Sequence, residues 1–235
     1  MNKSLDAFDL EALTHYFDED NAKYCLRIFG KFMTKSVLEV GAGTGQVSEL
    51  IATKCEYLMS LEPSASLFKD LLLRTGNFDR TNSTTEEYKS APNANKRKFD
   101  CILYWNVLEH ILDDSGELRA SSELLSTDGL ILIYIPAHPW LYSDLDKQSG
   151  HYRRYTRKTV RKLLNDSGLN LVSLKNFETM GLIPYLIIYR LLRSKSAGGV
   201  NGAIFSKAIL PLSYCIYKVG RGKIPGKGYL IVAKR

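Results

Sequence analysis

Ser36-Val-Leu-Glu-Val-Gly-Ala-Gly-Thr-Gly45 decides the reading of this chain: an apolar run breaks straight into three glycines, and an acidic residue, Glu62, stands 19 positions beyond Gly43. A buried strand that ends in a Gly-rich turn and passes into a helix lets a nucleotide-like ligand approach the backbone closely, and a carboxylate about 20 residues further on can grip ribose hydroxyls. The pattern points to an adenosine-containing ligand.

The spacing is GxGxG: Gln46, Val47 and Ser48 follow Gly45, and the third glycine of GxGxxG is absent. A pyrophosphate asks for a short loop feeding a helix N-terminus, whereas a cofactor without phosphates does not. S-adenosylmethionine therefore fits better than a dinucleotide.

A chain of 235 residues, 45% hydrophobic, can bury a substantial core. Its net charge of +7 hides an asymmetry: residues 1–120 carry 14 Lys/Arg against 19 Asp/Glu, residues 121–235 carry 18 against 6, and the stretch from Thr179 to Arg235 holds ten basic residues and no carboxylate. Such a field attracts phosphate-bearing ligands, acidic membrane surfaces or nucleic acid alike, so it fixes a sign and not a molecule. Cys25, Cys55, Cys101 and Cys215 are widely spaced without a CxxC, which argues against disulfides and structural zinc. The start, Met-Asn-Lys-Ser-Leu-Asp, has no apolar leader stretch, and a cytoplasmic location is the expectation.

Apolar spacing predicts a helix within Asp6–Phe32 that could lie over a ligand pocket. Strands are expected at Val37–Val40, Tyr57–Leu61, Asp79–Ser83, Phe99–Tyr104, Leu130–Ile135 and Leu169–Leu174, with helices after Gly45, over Ser64–Arg74, and after the N-cap Thr156. Asp128-Gly129 reads as a turn and Lys89–Lys98 as a surface loop. The alternation gives an α/β, mostly parallel sheet with helices on both faces, which a last strand at 228–235 can enter antiparallel. Residues 1–35 form a helical cap, 36–178 a Rossmann-like core, and 179–227 an apolar, basic helical insertion or lid. The apolar stretches of 181–219 are each shorter than the roughly 20 residues that cross a bilayer, and suit peripheral contact with the inner membrane face, a lid, or packing against the sheet.

With VLEVGAGTG (37–45), LEPS (61–64), FDCILYWNVLEHI (99–111), LLSTDGLILIYIP (124–136) and GHYRRYT (150–156), the chain resembles the class I S-adenosylmethionine-dependent methyltransferases, with a seven-stranded sheet. More narrowly, PAHPWLYSDLDKQSGHYRRYT is similar to bacterial methyltransferases that accompany glycan and lipid-linked sugar biosynthesis. The resemblance implies that Gly41, Ala42, Gly43, Thr44 and Gly45 pass under the methionine part of the cofactor, with Glu39 toward its amino group or the loop amides. Glu62, with Pro63 beside it, would accept from the ribose hydroxyls. Thr84 and Thr85 stand in the region facing the adenine, where the usual Asp is missing, and Asn106 and Val107 line the cleft.

Holding acceptor and methyl in line can supply most of the rate of such a transfer, which makes a base optional. His110 and His151 are the catalytic candidates for a hydroxyl acceptor; His15 reads as structural. His138, Tyr152, Arg153 and Arg154 are candidates for binding an anionic, small-molecule or lipid-linked acceptor, against internal pairing of the arginines with Asp113, Asp114, Asp144 or Asp146. The Asp and His groups near 138–151 lack a ligand spacing, so no metal is expected. A nucleic-acid methyltransferase suits the charge, but Asn106-Val-Leu-Glu-His stands where a base-stacking Asn/Asp-Pro-Pro-aromatic tetrad belongs. A non-catalytic cofactor-binding module at a membrane surface is the further alternative.

Overall fold

The computed structural model describes residues 19–33, 35–92, 97–191 and 205–235. The first part of the expected N-terminal helix with His15, loop residues 93–96 and the Gly/Ser-rich 192–204 lie outside them.

Seven strands form one sheet: β1 (Ser36–Val40), β2 (Tyr57–Leu61), β3 (Asp79–Thr81), β4 (Phe99–Trp105), β5 (Leu125–Pro136), β6 (Asn170–Phe177) and β7 (Gly228–Lys234). Their order is β3-β2-β1-β4-β5-β7-β6. All ladders are parallel except those of β7, which runs antiparallel to both β5 and β6. This is the expected class I methyltransferase fold.

Because both faces of the sheet are covered at its centre, the central strands are mostly apolar, and their alternate residues divide between two cores. Leu38, Val40, Ile102, Tyr104, Ile131, Ile133 and Ile231 meet Leu118, Val160, Leu163 and Leu164 of the helices Asp114–Ser122 and Arg157–Asp166. Val37, Cys101, Leu103, Leu132 and Val232 meet Leu26, Phe29, Val47 and Ile51 of the helices Glu19–Phe29 and Gln46–Ala52. Glu39 falls in phase with Val37, and so turns its carboxylate toward Ser48 of that second helix.

Helix starts follow their caps: Ser64 accepts from Leu67 N–H ahead of Ala65–Leu72, and Thr156 accepts from Thr159 N–H ahead of Arg157–Asp166. Asp128-Gly129 is a correction. It is no turn between elements but lies within β5, where the ladder steps from Phe99↔Leu125 to Cys101↔Leu130 and the extra residues bulge. Helix Thr85–Ser90 takes in Lys89, so the expected loop there is shorter.

In the 179–227 region, the helix Leu182–Tyr185 widens into a π-type turn at Leu186–Leu191, and a second such turn, Phe205–Ile209, leads into the helix Leu210–Gly220. Tyr185 and Tyr189 pack on Leu141 and Leu145 in a third, smaller core. Among the described residues no helix is long and apolar enough to cross a membrane.

Candidate active site

The strand order reverses beside β1: the chain builds outward through β2 and β3, then returns to the other flank of β1 with β4. Open α/β sheets place ligands at the carboxyl ends of strands at such a point. A cavity of about 270 Å³ lies there, lined at one end by Glu39, Gly41 to Thr44 and Asn106, and at the other by His110, Asp146, His151, Arg154 and Tyr185.

The glycine turn is conformationally enforced. Gly41 and Gly43 have φ of +71° and +56°, a region that side chains rarely enter. A Cβ at Gly41 would stand 2.6 Å from Val107 Cγ2, whereas one at Gly43 meets nothing within 4 Å. Val107 thus serves as the floor on which the turn lies, and Gly43 opens toward the cavity. Gly41→Ala is expected to lose about 1–3 kcal/mol from the backbone alone, with crowding against Val107 in addition. Urea unfolding measures this, and an unchanged midpoint would contradict it.

Two carboxylates frame the turn. Glu62 is buried, and its oxygens accept from the Gly43 amide at 2.7 Å and the Ser64 amide at 2.8 Å. Burial raises its pKa, and the two amide hydrogen bonds oppose that. Each oxygen keeps a further lone pair. Glu39 Oε2 accepts from Ser48 at 2.5 Å and Ser60 at 2.9 Å, and burial pushes this carboxyl up to about 7 against those hydrogen bonds.

At the other end Asp146 is the organising group. Its Oδ1 takes His151 Nδ1 at 2.9 Å and Arg154 Nε at 2.7 Å; its Oδ2 takes the Ser143 amide at 2.9 Å and the Tyr185 hydroxyl at 2.9 Å. Burial alone would raise the Asp146 carboxyl, but the His151 hydrogen bond and the Arg154 charge hold it well below the ordinary range. His151 is in edge contact with His110, ring centroids 4.7 Å apart. Burial pushes His110 down to about 3, so it is a neutral, weakly basic wall. Glu109 beside it is fully buried and pushed up to about 7 by burial.

Several expected site residues do other work. Thr84 caps the helix Thr85–Ser90 in a capping box with Glu87, and Thr85 donates to Glu117 at 2.5 Å; neither lines the cavity. Arg153 pairs with Asp114 at 2.9 Å and donates to the Leu112 carbonyl, Tyr152 is exposed, and His138 packs against Trp140 and Tyr229. Internal pairing thus claims both arginines, although Arg154 still lines the cavity. Gly45, Glu62, Pro63 and Val107 are not among the cavity's lining residues, but Glu62 and Val107 each touch the glycine turn that lines it. Sequence reasoning missed Asp146, Tyr185, Glu178 and Lys227 as lining residues. Lys227 Nζ lies 3.1 Å from buried Glu178, which also accepts from the Tyr134 hydroxyl. The signal for Glu178 was present: it is the last carboxylate before a long basic tail.

No curated protein matches the chain. A solved SAM-dependent methyltransferase from Archaeoglobus fulgidus is 20% identical, with 98% of this chain and 100% of that chain covered and a TM-score of 0.64. An S-adenosylmethionine-dependent methyltransferase from Clostridium acetobutylicum is 12% identical over 94% of each chain, with a TM-score of 0.57. Phosphoethanolamine N-methyltransferase 2 of Haemonchus contortus, solved with S-adenosyl-L-methionine, is 15% identical over 91% of this chain and 52% of that one, with a TM-score of 0.56. At these identities the likeness is one of fold. The profile of the methyltransferase domain family matches residues 13–174, more than half of the sequence, and the chain belongs to that family.

Proposed function

We propose that this methyltransferase takes S-adenosylmethionine as cofactor and methylates an oxygen of a small-molecule, sugar or lipid-linked acceptor. The observation that carries the reading is a single cavity running from the glycine turn to the Asp146–His151–Arg154 wall. The residues at its first end fit the cofactor. Gly43 leaves open space above the turn, Glu62 is held by two amides with lone pairs to spare for ribose hydroxyls, and Glu39 suits an ammonium group. When bound, S-adenosylmethionine supplies a methyl group on a sulfonium, whose displacement leaves the bonding pair on sulfur and yields S-adenosylhomocysteine. At the second end, Asp146 accepts the Nδ1 proton of His151 and leaves the Nε2 lone pair as the group able to act on an acceptor oxygen.

Calorimetry tests the cofactor: saturable binding of S-adenosylhomocysteine with none of NAD is expected, and the reverse would overturn the assignment. Label from methyl-tritiated cofactor, offered to fractionated cell extract, tests the acceptor. A base-stable methyl ether marks a hydroxyl, a base-labile ester a carboxylate, and label on nitrogen would refute oxygen transfer.

Glu39 carries a pH prediction. Its carboxyl ordinarily titrates near 4.5 and here near 7, so the stability its protonated form supports in the ligand-free protein is lost as pH rises through that interval. A bound ammonium favours the ionised form. Cofactor affinity is therefore expected to climb by up to about tenfold per unit below pH 7 and level above it, one proton being released per binding event. Glu39→Gln should flatten the profile; a wild-type affinity independent of pH between 5.5 and 7.5 contradicts the linkage.

A lipid-linked acceptor draws support from Ile183, Ile187 and Leu191, exposed along one short helical segment, in a tail without carboxylates. Flotation with vesicles containing acidic phospholipid, compared with neutral vesicles, tests this. Failure to float with either argues for a water-soluble acceptor.

A further inference from the structure

Glu109, His110 and His151 each bring one ligand-capable atom to a common point, all within 4.8 Å of one another. They arrive from two places: Glu109 and His110 from the single turn Leu108–His110 after β4, and His151 from the segment leading to the helix Arg157–Asp166. A backbone hydrogen bond, Tyr152 N–H to the Glu109 carbonyl at 2.8 Å, ties the two segments together. We propose that this cluster is a binding site for a divalent transition cation of the zinc, manganese and cobalt class, set at the acceptor end of the cavity.

Three observations carry it. The first is the donor set, two imidazoles and one carboxylate, which is the composition of open metal sites that keep positions for an exogenous oxygen. The second is Glu109 itself: it is 0% exposed, and neither of its carboxylate oxygens meets a well-formed hydrogen-bond partner on another described residue. A buried acidic side chain in that state is costly unless something positive or protic meets it. The third is the support of His151. Metal-bound imidazoles almost always donate their second nitrogen's proton to a carboxylate, which fixes the tautomer and raises ligand basicity. Asp146 provides that partner at 2.9 Å. A cation with bonds of about 2.0–2.2 Å holds its ligands roughly 3.3–3.6 Å apart in tetrahedral geometry, so a pair at the 4.8 Å limit must draw in by more than about 1 Å on binding. Arg154 is the nearby charge that opposes a cation, and its pairing with Asp146 at 2.7 Å offsets it.

The site's purpose rests on the methyl-transfer reading, although its existence does not. Arg153 is spent on Asp114 and Arg154 on Asp146, so an anionic acceptor finds no uncommitted guanidinium in the pair expected to bind it. A cation restores that positive charge. It would select acceptors offering an oxyanion or two adjacent oxygens, hold the reacting oxygen, and acidify a hydroxyl there so that its proton leaves to water. His151 then acts as a ligand through Nε2.

The test uses the full chain, stripped of metal with chelator, dialysed, and titrated with Co²⁺ by visible absorption and with Zn²⁺ by calorimetry. One saturable site is expected, with cobalt bands of nitrogen–oxygen coordination that Zn²⁺ displaces. Glu109→Gln and His151→Ala should each weaken it by more than the roughly 10–100-fold that losing a supporting partner costs, while S-adenosylhomocysteine still binds and marks the variants as folded. If one variant fails to fold, the other decides. Absence of a saturable site in the wild type, or equal affinity in wild type and folded variants, overturns the proposal. Cofactor binding without metal binding removes the cation and leaves the methyl-transfer reading; metal binding without cofactor binding does the opposite.

Discussion

Asp146→Ala is expected to remove about 3–5 kcal/mol of unfolding free energy, because it strands a buried guanidinium without its counter-charge. Arg154 is 8% exposed and Asp146 2%, so water makes up for the lost partner only in part. The same carboxylate also takes the Ser143 amide, the Ser143 and Tyr185 hydroxyls and His151 Nδ1; the two hydroxyls can still bond each other, but the amide loses its acceptor. Asp146→Asn keeps the shape but not the charge, and should retain much of the loss. Urea denaturation followed by circular dichroism measures both; a loss below about 1 kcal/mol, the scale of an exposed pair, would show the ion pair to be dispensable.

Glu62→Ala is expected to weaken S-adenosylhomocysteine binding by two to four orders of magnitude. Two charge-assisted hydrogen bonds to ribose hydroxyls contribute about 1.5–3 kcal/mol each, and the Gly43 amide that lies 2.7 Å from Glu62 Oε2 loses its anchor as well. Glu62→Gln separates the two effects, since its carbonyl oxygen can still accept from one amide. Calorimetry in the proposed cofactor titration reads the change. An affinity within about tenfold of wild type, little more than a single hydrogen bond's worth, would move the ribose elsewhere.

The sheet and the glycine turn at one end of the cavity are readable in the sequence for one reason: they are local. Tyr57–Leu61 matches β2 residue for residue, because a strand covered on both faces is apolar throughout and bounded by polar turns. Glu39, Gly41 and Glu62 sit at strand ends, where the turn that follows dictates their placement. The bulge at Asp128-Gly129 is not readable, since a turn dipeptide looks the same whether the ladder stops or buckles around it. The other end of the cavity is assembled from separate segments: Asp146, His151 and Arg154 are near one another in sequence, but His110 comes from the turn after β4 and Tyr185 from the helix Leu182–Tyr185. Arg153 and Arg154 show why adjacency misleads. In an extended segment neighbouring side chains leave on opposite sides, so one reaches outward to Asp114 and the other inward to Asp146. Glu109 and His110, next to each other, gain their chemistry only from a histidine 41 positions further along.

The placement of β7 between β5 and β6 has a consequence for biosynthesis. On the ribosome β6 emerges some fifty residues before the strand that joins it to the rest of the sheet, and until residues 228–234 clear the exit tunnel its backbone has no neighbour on that side. The sheet therefore keeps an open seam until residues 228–234 pair, and that one pairing both stitches β6 in and brings Lys227, next to Gly228, to its place.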